Sequence, residues 1–491
     1  MNPLFLTDGY KTGHHQQYPK GTTLVYSNFT PRSNKYAPKG CDQLVSFGQQ
    51  MVVKQIHEAF DKDFFSRPKD EVCGEMKREL SMYLNTDYDV SHFEALHDLG
   101  YLPIVVKSIE EGSLVPMRVP VLTIYNTHPD FYWITNYLET IISNLLWKPM
   151  TSATIAHAYR KVLTEWQEKT DAERAWFIDW QGHDFSMRGL DSIDATISSG
   201  LGHLTSFSGS DSLPAIFGAR KFYNETGFVA GSVNATEHSV MCAGSKEDEV
   251  GTFRNLMETY PTGILSIVSD TWDLWKVCTE HIVTLKEEIL ARDGKVVIRP
   301  DSGDPVLIIC GMDEFPQFKT PEERKVLDNE EKGVIELLWD VFGGTINEQG
   351  YKVLDSHIGA IYGDSITIER AEEICKRLEA KGFASTNIVL GVGSFTYQFN
   401  TRDTFGFAMK ATYVEVNGEG REIFKDPITD DGVKKSAKGL LTVAGDETCF
   451  LLVDQCTWEH EATGKLKTIY LNGQFENQTT LTEIRERLKR A

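Results

Sequence analysis

KVVIRPDSGD (295–304) decides how the rest of the chain is read. An apolar run, Val296, Val297 and Ile298, stops at Arg299. Pro300, Asp301, Ser302 and Gly303 then turn the chain. A short uninterrupted apolar run is the pattern of a strand buried on both faces. The theme recurs in both directions. FIDWQGHDFSMRG (177–189), HLTSFSGSDS (203–212), GFVAGSVNATEHS (227–239) and ILSIVSD (264–270) precede it, and AIYGDS (360–365) and NIVLGVGS (387–394) follow. Helical stripes lie between several of these runs. After ILSIVSD, Asp270 and Asp273 read as an N-cap and N3 pair. Leu274, Val277, Cys278, His281, Ile282, Leu285 and Ile289 then fall at 3.6-residue spacing. Ala371, Ile374, Cys375 and Leu378 make another stripe, which Gly382 stops. Strand–loop–helix units in series mean parallel strands. Seven or eight such units predict an α/β fold, a (β/α) barrel in preference to an open doubly wound sheet. In a barrel, the polar strand ends converge on the face where active sites sit.

The flanks read differently. TLVYSNF (23–29) is a strand pattern and QQMVVKQIHEAF (49–60) a helix. Residues 405–471 are β-rich, with an Asn417-Gly418 hairpin signal, and Thr480 to Arg490 form a short helix with a Thr480–Glu483 capping box. These flanks predict a mixed α+β domain built from 1–145 and 400–491 together, with the barrel at 146–399. The charged stretch 318–333, with a helix start at Thr320-Pro321-Glu322-Glu323, reads as a solvated insertion without chemistry.

The chain has 491 residues, 41% hydrophobic and 11% aromatic, which excludes wholesale disorder. No run approaches the length of a membrane span, so no membrane partner is expected. The net charge of −21 argues against a nucleic-acid partner, which calls for a basic footprint. It leaves room for small anions held by a few local Arg and Lys residues. The eight cysteines form no CxxC pair, and Cys278 and Cys375 fall on apolar stripes as core. Scattered thiols, and an N-terminus MNPLFLTDGYK that lacks a basic segment, predict a cytoplasmic protein without a secretory leader.

The strand ends supply an inventory of Arg188, Asp211, Glu237, His238, Asp270, Arg299, Asp301 and Asp364, with Gly363, Gly391 and Gly393 as unobstructed backbone. GDS (363–365) and GVGS (391–394) read either as phosphate cradles or as tight βα turns. Pro300 keeps Arg299 extended, so Arg299 and Asp301 share one side of the strand end. They suit a phosphorylated sugar, or else pair with each other. His238 has Glu237 beside it and Asp270 at the next strand end, the surroundings of an active imidazole. His183 and His203 lack such surroundings and read as structural. An ionised Asp211 accepts hydrogen bonds only, which favours a ligand N–H₂ over a ligand carboxylate.

These residues, taken with TDGYK (7–11), VYSNFTPR (25–32), the run from Asn387 to Asp403 and FKDP (424–427), occur in order across nearly the whole chain. On them the chain resembles the nicotinamide-specific type II phosphoribosyltransferases. The resemblance implies the transfer of phosphoribosyl from phosphoribosyl diphosphate to nicotinamide. It makes Phe185 one wall of a ring sandwich and Tyr10, from the second subunit of a homodimer, the other. Asp8 lies in the same segment as Tyr10 and is counted among the substrate contacts. Asp211 would hold the amide. Arg299, Asp301, Gly363, Asp364, Gly393 and Ser394 would hold ring, ribose and 5′-phosphate. Arg32, Arg188, Arg402, Lys410 and Lys425 would hold phosphate and diphosphate, some of them from the partner chain. His238 would be phosphorylated by ATP, with Asp270 or Glu237 orienting it. Mg²⁺ would ride mainly on the substrate diphosphate. Ser394, Met187 and Ala408 depart from the pattern, standing where a Gly, an aromatic and a Ser are familiar. The alternatives are a nicotinate-directed enzyme of the same fold and a metal-assisted barrel hydrolase built on Asp270, Asp301 and Asp364.

Overall fold

A computed structural model describes residues 1–312, 328–363, 365–425, 437–446 and 449–491. Asp364, the start of the 318–333 stretch, and Asp426 and Pro427 lie outside the described residues. The chain divides into two compact units. One comprises Met1–Thr154, Phe217–Phe228 and Asn400–Ala491, and the other Ile155–Ile216 and Val229–Phe399. The expected segments, 1–145 with 400–491 and 146–399, differ from these chiefly in the placement of Phe217–Phe228.

The second unit is built on seven parallel strands: β1 (Gly182–Asp184), β2 (Gly209–Ser210), β3 (Asn234–Ala235), β4 (Thr262–Val268), β5 (Asp293–Arg299), β6 (Ile358–Tyr362) and β7 (Ile388–Val392). Their order is β2-β1-β7-β6-β5-β4-β3. A parallel bridge from Gly209 to Gly231, just before β3, joins the two edges into a ring that follows chain order. The barrel expectation holds. The cause is burial: Val296, Ile298, Ile267, Ile358 and Ile388 are all at 0% exposure, and Ile358–Tyr362 is buried at every position. The intervening helices start on side-chain caps. Ser192 accepts from Ala195 N, Asp248 from Gly251 N and Thr367 from Arg370 N. Ala371, Ile374, Cys375 and Leu378 bury the inner face of Ile368–Ala380. A helix starts within the charged stretch at Asn329, on an Asp328–Glu331 capping box.

One cap differs from expectation. Asp273, not Asp270, caps the helix that starts at Leu274, accepting from Lys276 N at 3.0 Å. That helix passes through a π turn at Val277–His281, so the long 3.6 stripe is regular only in part. Cys278 and Cys375 are core, as their stripes imply.

The first unit carries a seven-stranded antiparallel sheet in the order 419–422, 408–416, 22–30, 122–126, 104–108, 467–471, 474–475. Asn417 and Gly418 turn its hairpin with φ of 56° and 79°, the conformation an Asn-Gly signal predicts. Thr480 and Glu483 form the expected capping box.

Burial leaves three histidines neutral: His92 is pushed down to about 3, and His157 and His203 to about 4. Unfolded, each titrates near 6.5. A depressed imidazole contributes stability that is complete above that value and declines as pH falls below it. Burial beside Asp273 raises Glu249 to about 7, which acts the other way between pH 7 and its unfolded value. The three histidines outweigh Glu249, so unfolding near pH 5.5 should take up protons net and stability should fall from pH 7 toward pH 5. Denaturant melts at pH 7 and pH 5 check this. A stability that is level or rising toward pH 5 would contradict it.

Candidate active site

The rim of the barrel assembles the ring-binding candidates first. Asp211 follows β2, and its amide donates to the Asp184 carbonyl at 2.9 Å. Its Oδ1 accepts from His183 Nε2 at 3.0 Å and from the Ser232 hydroxyl. Burial pushes the carboxyl up. The bonds from His183 and Ser232 and the charges of His183 and Arg299 outweigh that and leave it below its usual value. Asp211 is thus held ionised, with Oδ2 not used by either bond. Phe185 lies beside it, its ring centroid 4.5 Å from that of His183, and the Arg299 guanidinium sits 5.3 Å over the Phe185 face. The backbone closes in behind. A Cβ on Gly391 would stand 2.9 Å from the Phe185 ring and 2.6 Å from the Tyr362 carbonyl, so only glycine fits there.

Arg299 and Asp301 do share a side. A Cβ on Gly363 would meet Asp301 Oδ1 at 2.6 Å and Arg299 Nε at 3.1 Å. Arg299 Nη1 reaches the Thr236 carbonyl at 3.3 Å, and its buried Nε has no hydrogen-bond partner. No ion pair joins it to Asp301 among the described residues, so the internal-pair alternative fails. Gly363 N donates to the Pro300 carbonyl at 3.3 Å. Gly393 is the N-cap of the short helix Ser394–Gln398. The Ser394 side chain fills the space left by the missing side chain of Gly189, which seats this departure from the family pattern. Arg188, in the same turn as Gly189, is exposed.

His238 is half-exposed, and its Nε2 is 3.9 Å from both Asp270 Oδ1 and Asp301 Oδ2. Its Nδ1 lies 3.2 Å from Thr271 Oγ1. Asp270 itself is braced, accepting from Asp301 N at 2.9 Å and from Ser302 Oγ. Its buried Oδ1 has no hydrogen-bond partner. Glu237 is not brought to His238. Extended backbone at φ −127°, ψ 171° sends its carboxylate to the Ser239 hydroxyl instead, so its orienting role is corrected.

Two Asp carboxylates with an orphaned oxygen are hard donors that fit a Mg²⁺ carried in on a diphosphate. Among the described residues no group of three or more His, Cys, Asp or Glu could cage a metal alone.

The first unit holds the remaining candidates. Arg32, just past the strand Thr22–Thr30, donates from Nε to the Gly406 carbonyl at 2.8 Å. Arg402 pairs with Asp403 at 3.2 Å. Desolvation lowers Lys410, and the charges of Arg32, Lys425 and Arg402 lower it further, against Glu139. Four cations so crowded in a chain of net charge −21 form a concentrated anion-attracting patch. Tyr10 is 66% exposed, its ring centroid 5.4 Å from His14. Asp8 is fixed by Thr140 Oγ1 at 2.7 Å.

His183, Ser232 and Thr271 were not anticipated as site residues. His183 had a signal: it stands two residues before Phe185, so the two share a strand side. Its bond to Asp211 sets it beside the candidate base contact.

The profile of the nicotinate phosphoribosyltransferase (NAPRTase) family matches residues 180–489, and that of the nicotinamide phosphoribosyltransferase N-terminal domain matches residues 2–95. The chain is 51% identical to a nicotinamide phosphoribosyltransferase of Acinetobacter baylyi, covering 99% of this chain and 97% of that one. It is 32% identical to that of Xanthomonas campestris pv. campestris over the same shares. Human nicotinic acid phosphoribosyltransferase has the same fold at TM-score 0.55 and 16% identity, covering 98% of this chain and 93% of that one. So does a nicotinate-nucleotide pyrophosphorylase from Pyrococcus furiosus, at TM-score 0.55 and 15% identity, covering 100% and 95%. Matched along most of its length, with half its residues identical to a full-length relative, the chain belongs to the nicotinate phosphoribosyltransferase (NAPRTase) family.

Proposed function

We infer that this chain is a pentosyltransferase that joins nicotinamide to phosphoribosyl diphosphate, giving nicotinamide mononucleotide and diphosphate, a salvage step toward NAD. Full-length relatives from Acinetobacter and Xanthomonas bear that activity in their names. The observation that carries the choice of base is the ionised Asp211 beside Phe185 and Arg299. A carboxylate facing the ring substituent accepts an amide N–H and repels a carboxylate, so nicotinate is the weaker substrate. A competition assay between nicotinamide and nicotinate tests this, and preference for nicotinate would overturn it.

In the reaction, the ring nitrogen forms a bond to the anomeric carbon as the carbon–oxygen bond to diphosphate breaks and its electron pair leaves with diphosphate. Phe185, Arg299 and Asp211 hold the ring in line, while Arg188 and the Gly393–Ser394 turn hold the phosphoribosyl end. The developing positive charge on the ribose favours the nearby Asp301 carboxylate. Asp270 and Asp301 would hold Mg²⁺, which supplies countercharge for the leaving diphosphate. ATP is proposed to phosphorylate His238, raising efficiency. A cytoplasmic setting is also proposed; among the described residues no helix is long and apolar enough to cross a membrane.

The active species is proposed to be a homodimer, with Tyr10 of one protomer facing Phe185 of its partner across the nicotinamide ring, and the Arg32, Arg402, Lys410 and Lys425 patch serving diphosphate. The exposure of Tyr10 supports this. Mixing Tyr10→Ala chains with Phe185→Ala chains should restore one intact site per heterodimer, up to about a quarter of wild-type activity in the mixture. No recovery after proven subunit exchange contradicts shared sites.

A further inference from the structure

His203 was read from the sequence as structural, yet it is the centre of a hydrogen-bond relay beneath the rim. The imidazole closes the helix Ile193–Leu204 and is fully buried. Its Nε2 lies 3.0 Å from the Gly209 carbonyl and its Nδ1 2.7 Å from the Tyr397 hydroxyl. A carbonyl only accepts, so Nε2 carries the proton. Nδ1 is then the acceptor, and the Tyr397 hydroxyl donates to it. Phe207 stacks on the ring at 5.1 Å and fixes its plane. Burial holds the imidazole neutral, pushed down to about 4, so the proton arrangement persists through the usual assay range.

The two ends of the relay are the informative part. Gly209 opens β2, whose next residues present Asp211. Tyr397, also buried, belongs to the helix Ser394–Gln398 that follows β7. Between β2 and β7 runs β1, which ends at Asp184, just before Phe185. The relay therefore passes from one neighbour of β1 to the other and spans the ring-binding strand end. A second tie continues from the adjacent residue. Tyr159 Oη lies 3.1 Å from Thr396 Oγ1 and donates to the Ile366 carbonyl at 2.6 Å, in the loop after Gly363.

We propose that His203, through Tyr397, is a positioning residue that holds the base-binding carboxylate and the phosphoribosyl-binding turn in one register. This deepens the reading of Asp211 as the base contact and of Gly393–Ser394 as the phosphoribosyl contact, and it rests on that reading. His203 touches neither substrate. Its effect is on the distance between two groups that bind different reactants, and small misplacements of that kind cost rate steeply.

The test varies both substrates in steady state for three variants. Tyr397→Phe removes one hydroxyl and keeps the volume. His203→Phe removes both bonds. His203→Gln restores a donor and an acceptor on one planar group. Tyr397→Phe and His203→Phe should each lower kcat/KM about tenfold for nicotinamide and for phosphoribosyl diphosphate alike. The double variant should be no worse than His203→Phe alone, since one relay is cut twice. His203→Gln should recover to within about threefold of wild type. Lower melting temperatures with unchanged kcat/KM in Tyr397→Phe would overturn the proposal and leave the relay a packing feature. So would additive losses in the double variant, or a loss confined to one substrate. Wild-type chain assayed in parallel separates the two layers: absence of mononucleotide from wild type refutes the activity itself, whereas wild-type turnover with unaffected variants refutes only the relay.

Discussion

Asp211→Asn should lower kcat/KM for nicotinamide by roughly 10- to 100-fold, the range expected for losing a hydrogen bond to a charged acceptor, about 1.5–3 kcal/mol. The loss arises at one atom. Oδ1 is engaged by His183 and Ser232, which leaves Oδ2 for the ligand amide. In the variant, Oδ1 retains those two donors, and the group at the Oδ2 position becomes an N–H₂ that faces the ligand N–H₂. Nicotinate should gain over the same change, because the repelling charge has gone and a donor now faces its carboxylate. The measurement is the ratio of kcat/KM for the two bases, expected to shift toward nicotinate by at least tenfold. Unchanged kinetics for both bases would remove Asp211 from the base site.

His238→Ala should reduce ATP hydrolysis to background and abolish the stimulation of synthesis by ATP. The imidazole is half-exposed, with Thr271 near Nδ1 and the carboxylates of Asp270 and Asp301 each 3.9 Å from Nε2. Those acids are repulsive toward a phosphoryl group placed on Nε2. Asp270 and Asp301 would hold a divalent cation beside a phosphorylated His238, and it would supply countercharge for the departing diphosphate. Nicotinamide affinity should survive within about twofold, because Phe185, Asp211 and Arg299 do not contact the imidazole in any described hydrogen bond. Calorimetric nicotinamide binding beside ATPase rates, on one preparation, separates the two. Persistent ATP turnover in the variant places the phosphorylated residue elsewhere.

The barrel was legible because its longer strands, Thr262–Val268, Asp293–Arg299, Ile358–Tyr362 and Ile388–Val392, each carry a short apolar run that ends at turn residues. β1, β2 and β3 were legible only from the polar residues that end them, since two or three residues carry no period. HLTSF proved to be the end of a helix and its exit, not a strand, for its apolar residues alone do not distinguish the two. The Asp270 cap was misread because two acids three apart both fit an N-terminus. The choice fell to Asp273 once Asp270 was occupied by the backbone of the RPDSG loop.

The site was less legible than the fold. Arg32, Arg402, Lys410 and Lys425 lie almost 400 positions apart at the extremes, and no local pattern links them. Antiparallel pairing of Thr22–Thr30 with Ala408–Val416, Asn28 opposite Lys410, is what crowds them together. Bonds such as His183 to Asp211 and His203 to Tyr397 depend on the pairing of β1 with β2 and β7, segments far apart in the chain, which sequence spacing does not encode. The order of motifs, carried by the family resemblance, supplied most of the named contacts.

The most direct test is to incubate the purified chain with nicotinamide, phosphoribosyl diphosphate and Mg²⁺ and to follow product by chromatography. Nicotinamide mononucleotide and diphosphate should appear in equal amounts, faster with ATP. Diphosphate release without the mononucleotide, or mononucleotide formed only when nicotinate replaces nicotinamide as nicotinate mononucleotide, would contradict the account.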